Sequence, residues 1–350
     1  MKPKVLVISV SYNGQGGIAT VVNTFMHNKY LNSRFDMHYR CTNNPGSNII
    51  KLISTLYLMF LFPFVLLFNN FDLAHIHGGS VIRKSYYTLW LKFFRIPVIY
   101  QNHAANFDVY YKKANIIKRN YLNYVFSLYD IRLCLGFFWM NTLQELTGRK
   151  WNILYNPVSE INLIKRHNER CNFTFIGELS KRKGIKDLIY AFALQDIKNA
   201  HLLIAGNGDV KQLSELCSNL GILDKVEFLG WVNHEQKLDL LTRTDVVVLP
   251  SYAEGLPMSI LEAMSVGLPV ITTSVGAVGD AVTHNIHGLL VQPGDIEQIS
   301  LALNDLASNI DKRIKLGKAA KLKFNECFSE DVVAKDLACF YYKLIGRHNE

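Results

Sequence analysis

The sequence is poor in paired cysteines, in metal-binding acidic motifs and in charge. Its six cysteines (Cys41, Cys134, Cys171, Cys217, Cys327 and Cys339) are scattered, with no Cys-x-x-Cys pair. That spacing provides neither a disulfide framework nor a zinc site, and it suits reduced thiols in a cytosol. No Asp-x-Asp occurs, and no His/Cys cluster has metal-ligand spacing, which disfavours chemistry organised by a bound metal. The absence of a Gly-x-Ser-x-Gly elbow and of a P-loop removes serine hydrolases and P-loop nucleotidases. Low-complexity tracts and short repeats are missing too. Charged residues reach only 19% against 49% hydrophobic, the balance of a globular chain.

What is present is alternation. At 350 residues the chain exceeds one ordinary core and suits two domains of about 100–200 residues each. Glycine-punctuated apolar runs alternate with helical patterns, which predicts α/β layering. In the first half, strands are expected at Lys4–Val10, Arg34–Tyr39, Asp72–Ile76, Pro97–Gln101 and Ile153–Asn156, and one helix across Tyr110–Leu128. Ser159 to Asn172 is polar, with little periodicity, and reads as a linker. The pattern then restarts and ends in an amphipathic helix over Asp331–Leu344. The expected fold is α/β, with two Rossmann-like parallel-sheet domains facing each other across a cleft. Their boundaries fall at residues 1–160 and 171–328, with a final helix over 329–350 packing back toward the first domain.

Lys4 to Val10 leads into Asn13-Gly14-Gln15-Gly16-Gly17, a strand and glycine loop, not a signal-peptide cleavage site. A cytoplasmic protein is therefore expected. Leu52 to Phe68 is a nearly unbroken apolar run interrupted by Pro63, at the lower edge of the length that spans a bilayer. Because a strand follows at once, the run is expected to be a helix packed on the sheet or one that dips into a membrane surface. Residues 1–160 carry 17 Lys and Arg against 6 Asp and Glu, so the excess positive charge lies in the N-terminal half. It reads as solvated surface, or as attraction to anionic lipid headgroups or a pyrophosphate-bearing acceptor. No basic helix or nucleic-acid module accompanies it, so no nucleic-acid partner is expected.

The densest motif is Pro250-Ser251-Tyr252-Ala253-Glu254-Gly255-Leu256-Pro257-Met258-Ser259-Ile260-Leu261-Glu262, followed by Gly267 and Pro269. A buried strand ends here, Gly255 lets the backbone turn, and Pro257 suits the first helical position. Gly267 suits the helix end. The helix N-terminus then presents N–H groups and a positive dipole end, which suit a phosphate or sugar hydroxyls. Glu254 and Glu262 can accept hydrogen bonds from hydroxyls at two depths of one pocket. This stretch resembles the E-x7-E signature of retaining family 4 glycosyltransferases of the GT-B fold. The resemblance implies that Glu254 contacts the donor sugar and Glu262 holds the ribose. It also implies that the amides of Gly255, Leu256, Pro257's neighbours and Met258 face sugar and phosphate.

Phe173 to Ile185 supplies a strand, Gly177 and the basic loop Lys181-Arg182-Lys183-Gly184 before a helix, able to neutralise a diphosphate leaving group without a metal. The family pattern Gly-Arg-x4-5-Lys-Gly is met by Lys183-Gly184, but Glu178 stands where its arginine is expected. Either Lys181 or Arg182 supplies that cation, or diphosphate binding is weaker. His103 follows a buried strand end and matches the family's histidine that faces the donor sugar, while His75 and His77 read as structural. Gly16 and Gly17 match an N-terminal Gly-Gly whose amides approach donor phosphate or acceptor. Read alone, that loop is a degenerate dinucleotide fingerprint with Asp36 near the acidic position.

The resemblance implies a metal-independent hexosyltransferase of polysaccharide biosynthesis. Its donor would be a nucleotide-diphosphate sugar bound by the second domain. Its acceptor would be a glycan on the first domain; the basic N-terminal half and the apolar run point to a polyprenyl-pyrophosphate carrier and to peripheral contact with an anionic membrane. No cofactor is implied. His103, Lys183 and Glu254 would carry catalysis. Gly16, Gly17, Arg182, Gly255, Leu256, Pro257, Met258 and Glu262 would bind substrate. Two other readings remain: a nucleotide-sugar-binding subunit without turnover, and an NAD-linked oxidoreductase.

Overall fold

The computed structural model describes residues 1–10, 16–42, 48–161, 163, 170–195, 197 and 199–346, and for 48–52 the backbone alone. The chain divides into two compact units, Met1–Ser159 with Phe328–Glu350, and Glu160–Cys327.

The first unit runs β1 (Lys4–Ser9), α1 (Gly17–His27), α2 (Lys29–Arg34), β2 (Asp36–Cys41), α3 (Asn48–Phe68), β3 (Leu73–Gly78), α4 (Val81–Phe93) and β4 (Val98–Asn102). It continues with α5 (Phe107–Lys113), α6 (Ile116–Leu128), β5 (Ile131–Cys134), α7 (Phe137–Thr147) and β6 (Asn152–Ile153). All six strands are parallel, in the order β2-β1-β3-β4-β5-β6. β3 and β4 are buried along their whole length, as parallel strands covered on both faces must be.

The second unit runs β7 (Cys171–Ile176), a 3-10 turn (Lys181–Lys183), α8 (Ile185–Leu194), β8 (Ala200–Ala205), α9 (Val210–Asn219), a second 3-10 turn (Leu223–Lys225), β9 (Val226–Gly230), α10 (His234–Arg243) and β10 (Val246–Leu249). Then come α11 (Met258–Ser265), β11 (Val270–Thr273), α12 (Val278–Ala281), β12 (Gly288–Val291), α13 (Ile296–Ser308) and α14 (Ile310–Cys327). Its parallel sheet is ordered β12-β11-β10-β7-β8-β9. The winding reverses between β7 and β10, so the chain leaves these neighbours in opposite directions and opens a crevice at their carboxyl ends.

The last helix, α15 (Glu330–Ile345), belongs to the first unit. Val158 N–H donates to the Phe328 carbonyl (3.1 Å) and Glu330 N–H to that of Val158 (2.9 Å). The Glu330 carboxylate accepts from Asn28 (2.7 Å) and Ser159. Tyr341 is fully buried and reaches His75 of β3 at 2.9 Å.

Three expectations need correction. The helix over Tyr110–Leu128 is two helices: Ala114 is extended, and Asn115 caps α6 by accepting from Lys118 N–H. The second strand starts later, because Arg34 closes α2 and Phe35 N–H is spent on the Leu31 carbonyl. Pro257 is the N-cap of α11 rather than its first helical residue, with extended ψ of 126°. The apolar run forms α3, which packs on α4 through Phe62, edge-on to Tyr87 at 4.8 Å, and through a Tyr86 hydroxyl bond to the Met59 carbonyl (2.8 Å). Among the described residues no helix is long and apolar enough to cross a membrane.

Candidate functional site

The reversal between β7 and β10 gathers most of the expected residues of the second unit. β7 delivers Glu178 and the turn Lys181–Lys183, and β10 delivers Ser251 and Glu254. Glu254 is 4% exposed. Its Oε1 accepts from Lys183 Nζ (2.6 Å) and from Ser251 Oγ (2.6 Å). Arg182 Nη1 lies 3.7 Å from Oε2 and donates to the Ala253 carbonyl (3.0 Å). Arg182 Nη2 meets Glu178 Oε2 at 3.3 Å, an i,i+4 pair. Between the two cations that could replace the arginine absent at 178, Arg182 is thus the one drawn to Glu254, and Lys181 stays exposed. A carboxylate this deeply buried is tolerable only with such partners.

Two glycines make the crowding possible. Gly184 (φ +70°) passes so close to Pro250 that a Cβ would stand 2.1 Å from its carbonyl oxygen. Gly276 (φ +59°) does the same to Glu254, at 2.0 Å from the carbonyl oxygen. Ala277 N–H donates to the Gly255 carbonyl (2.8 Å), so the loop after β11 clamps the Glu254-Gly255 peptide.

Leu256 is buried behind Pro257, and α11 begins at Met258. Ile260 and Leu261 amides turn back to the Pro257 carbonyl, leaving the Met258 and Ser259 amides at the helix mouth. One turn further in, Glu262 is 5% exposed and ion-paired to Lys237 of α10. Lys237 is a member of the site that sequence reading missed. Ser251, which shares Lys183's acceptor atom, is another.

His103, Gly16 and Gly17 belong to the first unit. Gly16 (φ +111°) is the N-cap of α1 and Gly17 its first residue; residues 11–15 of the expected loop lie outside the described residues. His103 follows β4, with Nε2 3.1 Å from His77 Nδ1 and the rings stacked at 5.4 Å. His75 lies against His77 in turn, ring centroids 4.0 Å apart and tilted by 36°. Burial holds His75 and His103 down to about 3, with the neighbouring His103 adding to the effect at His75. His77 is also pushed well below the usual histidine range, by burial first and then by His75, His103 and Lys84. His77 therefore does more than pack; it is the hydrogen-bond partner of His103. At neutral pH the three rings are uncharged, so one nitrogen of the His77–His103 contact donates and the other accepts.

In the unfolded chain these imidazoles take a proton near 6.5, while the fold keeps His75 and His103 neutral to about 3 and holds His77 neutral well below 6.5. Stability is complete above pH 6.5 and is lost as pH falls toward 3. On acid unfolding this cluster is expected to take up about three protons from solvent, read as a steepening fall of melting temperature from pH 6.5 to 4. His77→Asn should flatten that slope.

Lys84 is buried with its Nζ donating to Thr42 Oγ1 (2.9 Å), and burial lowers its pKa to about 7. Asp36 sits at the amino end of β2, 3.0 Å from His38, away from the carboxyl edge where a dinucleotide's ribose would lie. That placement removes the oxidoreductase reading's acidic residue. A surface hollow at the same amino edge, lined by Lys2, Asn32, Phe35 and Asp36, holds none of the residues expected to bind or transfer a sugar. Among the described residues no group of three or more His, Cys, Asp or Glu side chains could hold a metal ion.

Residues 162–323 match the family model described as Glycosyl transferases group 1. The matched segment, a little under half of the chain, is similar to that family. It contains Lys183, Glu254, Glu262 and Lys237. An uncharacterized glycosyltransferase of Methanocaldococcus jannaschii is 33% identical over 218 residues, covering 57% of this chain and 56% of that protein. The chain thus spans little more than half the length of that relative. An uncharacterized 41.2 kDa protein in the cps region of Klebsiella pneumoniae is 23% identical over 324 residues, 84% of this chain and 87% of its own. Among solved structures, Anabaena HepE in complex with UDP and glucose is similar with a TM-score of 0.79 at 17% identity, covering 97% of this chain and 100% of that one. The fold is GT-B.

Proposed function

We propose that this chain is a retaining glycosyltransferase that moves a sugar from a nucleotide-diphosphate sugar to a lipid-linked glycan in polysaccharide synthesis, without a metal. The observation that carries the reading is the Lys183–Glu254–Arg182 cluster at the winding reversal, inside the segment similar to the group 1 family. An arriving diphosphate competes for Lys183 and Arg182, which then neutralise the leaving group as the bond from sugar C1 to the diphosphate oxygen breaks. Glu254, released from Lys183, accepts from the sugar hydroxyls, and Glu262 with Lys237 takes the ribose. His103, neutral at physiological pH, orients the sugar by hydrogen bonding rather than by charge. Binding of UDP and glucose by the similar Anabaena fold supports a nucleotide-sugar donor, and the Klebsiella relative's place in a cps region supports a glycan product.

The test is donor turnover by purified protein in EDTA, with a panel of nucleotide sugars and lipid-linked acceptors. Transfer with retained anomeric configuration is expected. Transfer that stops in EDTA and returns with a divalent cation would contradict the metal-free part of the reading. A second reading, a donor-binding subunit without turnover, is favoured by one observation: Glu178 engages Arg182 and weakens its hold on a diphosphate. Donor binding with no transfer to any acceptor is its signature.

A further inference from the structure

α3 presents two faces. Phe62 and Leu66 are buried against the unit, whereas Leu56, Tyr57, Phe60, Phe64, Leu67 and Phe68 are exposed, each by 47% or more. These positions follow the i, i+3, i+4, i+7 spacing of one helix face, so they form a continuous apolar stripe. No charged side chain lies between Ile53 and Phe68. A soluble surface rarely leaves so large an apolar strip uncovered.

The stripe does not stand alone. Tyr86 bonds α4 to α3, and the Ser85 hydroxyl lies 2.6 Å from that of Tyr121, joining α4 to α6. The three helices form one layer on the sheet, and all of them follow strands of a parallel sheet, so they run in the same direction. α4 adds exposed Leu89 and Phe93 to the layer. At the start of α6, Ile116 and Ile117 are 67% and 77% exposed. Lys112 and Lys113 precede them, exposed and without an ion pair among the described residues, and Lys118 follows, seated 4.2 Å over the Tyr110 ring. Arg83 is exposed on α4.

Apolar side chains flanked by unpaired cations fit one kind of surface. Aromatic and aliphatic groups enter the acyl boundary while lysines and arginines meet phosphate headgroups. A second copy of this chain would place like charges against each other across the same face. The excess of positive charge in residues 1–160 points the same way. We infer that the outer face of the α3–α4–α6 layer docks on an anionic lipid bilayer, with the α3 stripe inserting into the headgroup boundary and Lys112 and Lys113 meeting lipid phosphates. The inference extends the lipid-linked acceptor of the proposed function, but docking requires neither donor nor turnover, so each can fail while the other stands.

The experiment is co-sedimentation of the full chain with vesicles of phosphatidylcholine alone, or of phosphatidylcholine with about 30% phosphatidylglycerol. Wild type is expected to bind the anionic vesicles at least tenfold better than the neutral ones, and to lose most of that binding in high salt. Phe60→Ser with Leu67→Ser should lower partitioning at least tenfold, and Lys112→Glu with Lys113→Glu should lower it for anionic vesicles only. Both pairs are exposed, so melting temperatures should stay at the wild-type value and report a preserved fold. Equal sedimentation of wild type and the Phe60/Leu67 variant, no sedimentation with anionic vesicles, or a dimer in solution abolished by the same substitutions would overturn the inference.

Discussion

Lys183→Ala is expected to lower kcat/KM for sugar transfer by about 10²–10³-fold, the usual cost of removing one preorganised donor from a developing negative charge. The same substitution leaves Glu254 buried with Ser251 and the more distant Arg182 as partners. Breaking a buried pair from one side costs about 3–5 kcal/mol, and the remaining Arg182 should hold the loss to the low end. Glu254→Ala removes the other side and should cost similar activity while exposing the crevice to water. The informative variant is the double one. Lys183→Ala with Glu254→Ala should recover much of the stability lost by either alone, because neither charge is then stranded. It should recover no activity. Recovered activity in the double variant would mean that the pair is structural only.

Gly276→Ala should be among the most damaging small substitutions in the second unit. Its φ of +59° already penalises any side chain, and the added Cβ would lie 2.0 Å from the Glu254 carbonyl oxygen. Backbone must move, and the backbone that moves carries Glu254. A loss of about 3 kcal/mol is expected, which lowers the melting temperature by about 6–12 °C for a unit of this size. Nucleotide-sugar binding should weaken together with it at temperatures where the protein is still folded. Gly148, also at positive φ (+62°) but with open space around its Cβ position, is the control and should cost only the backbone term of about 1 kcal/mol. If both substitutions cost the same, the clamp on Glu254 is not what Gly276 provides.

Local punctuation made part of the molecule readable from its sequence. The strand before Pro250, the turn at Gly255 and the end of α11 near Gly267 are set by backbone chemistry that Gly and Pro announce. Glu254 and Glu262 came with that frame. Lys237 could not be read, because its ion pair with Glu262 joins residues 25 apart in sequence on different helices. The same holds for His75 and Tyr341, 266 residues apart. β5 escaped because a four-residue strand carries too little periodicity to register against the helices around it. The break between α5 and α6 was readable in principle, since Asn115 is a strong N-cap residue, but apolar periodicity on both sides concealed it. Arg182's position beside Glu254 depended on the 3-10 turn, whose tighter pitch no propensity foretells.

The most direct measurement of the central claim is calorimetric titration of nucleoside diphosphates and nucleotide sugars into wild type and Lys183→Ala, in EDTA. At least one nucleoside diphosphate should bind wild type and bind Lys183→Ala at least tenfold more weakly, with Glu262→Ala weakening binding by a comparable factor through the ribose. Equal affinity in wild type and Lys183→Ala, or no binding by wild type across the full panel, would contradict the assignment of a diphosphate-sugar site to the crevice between β7 and β10.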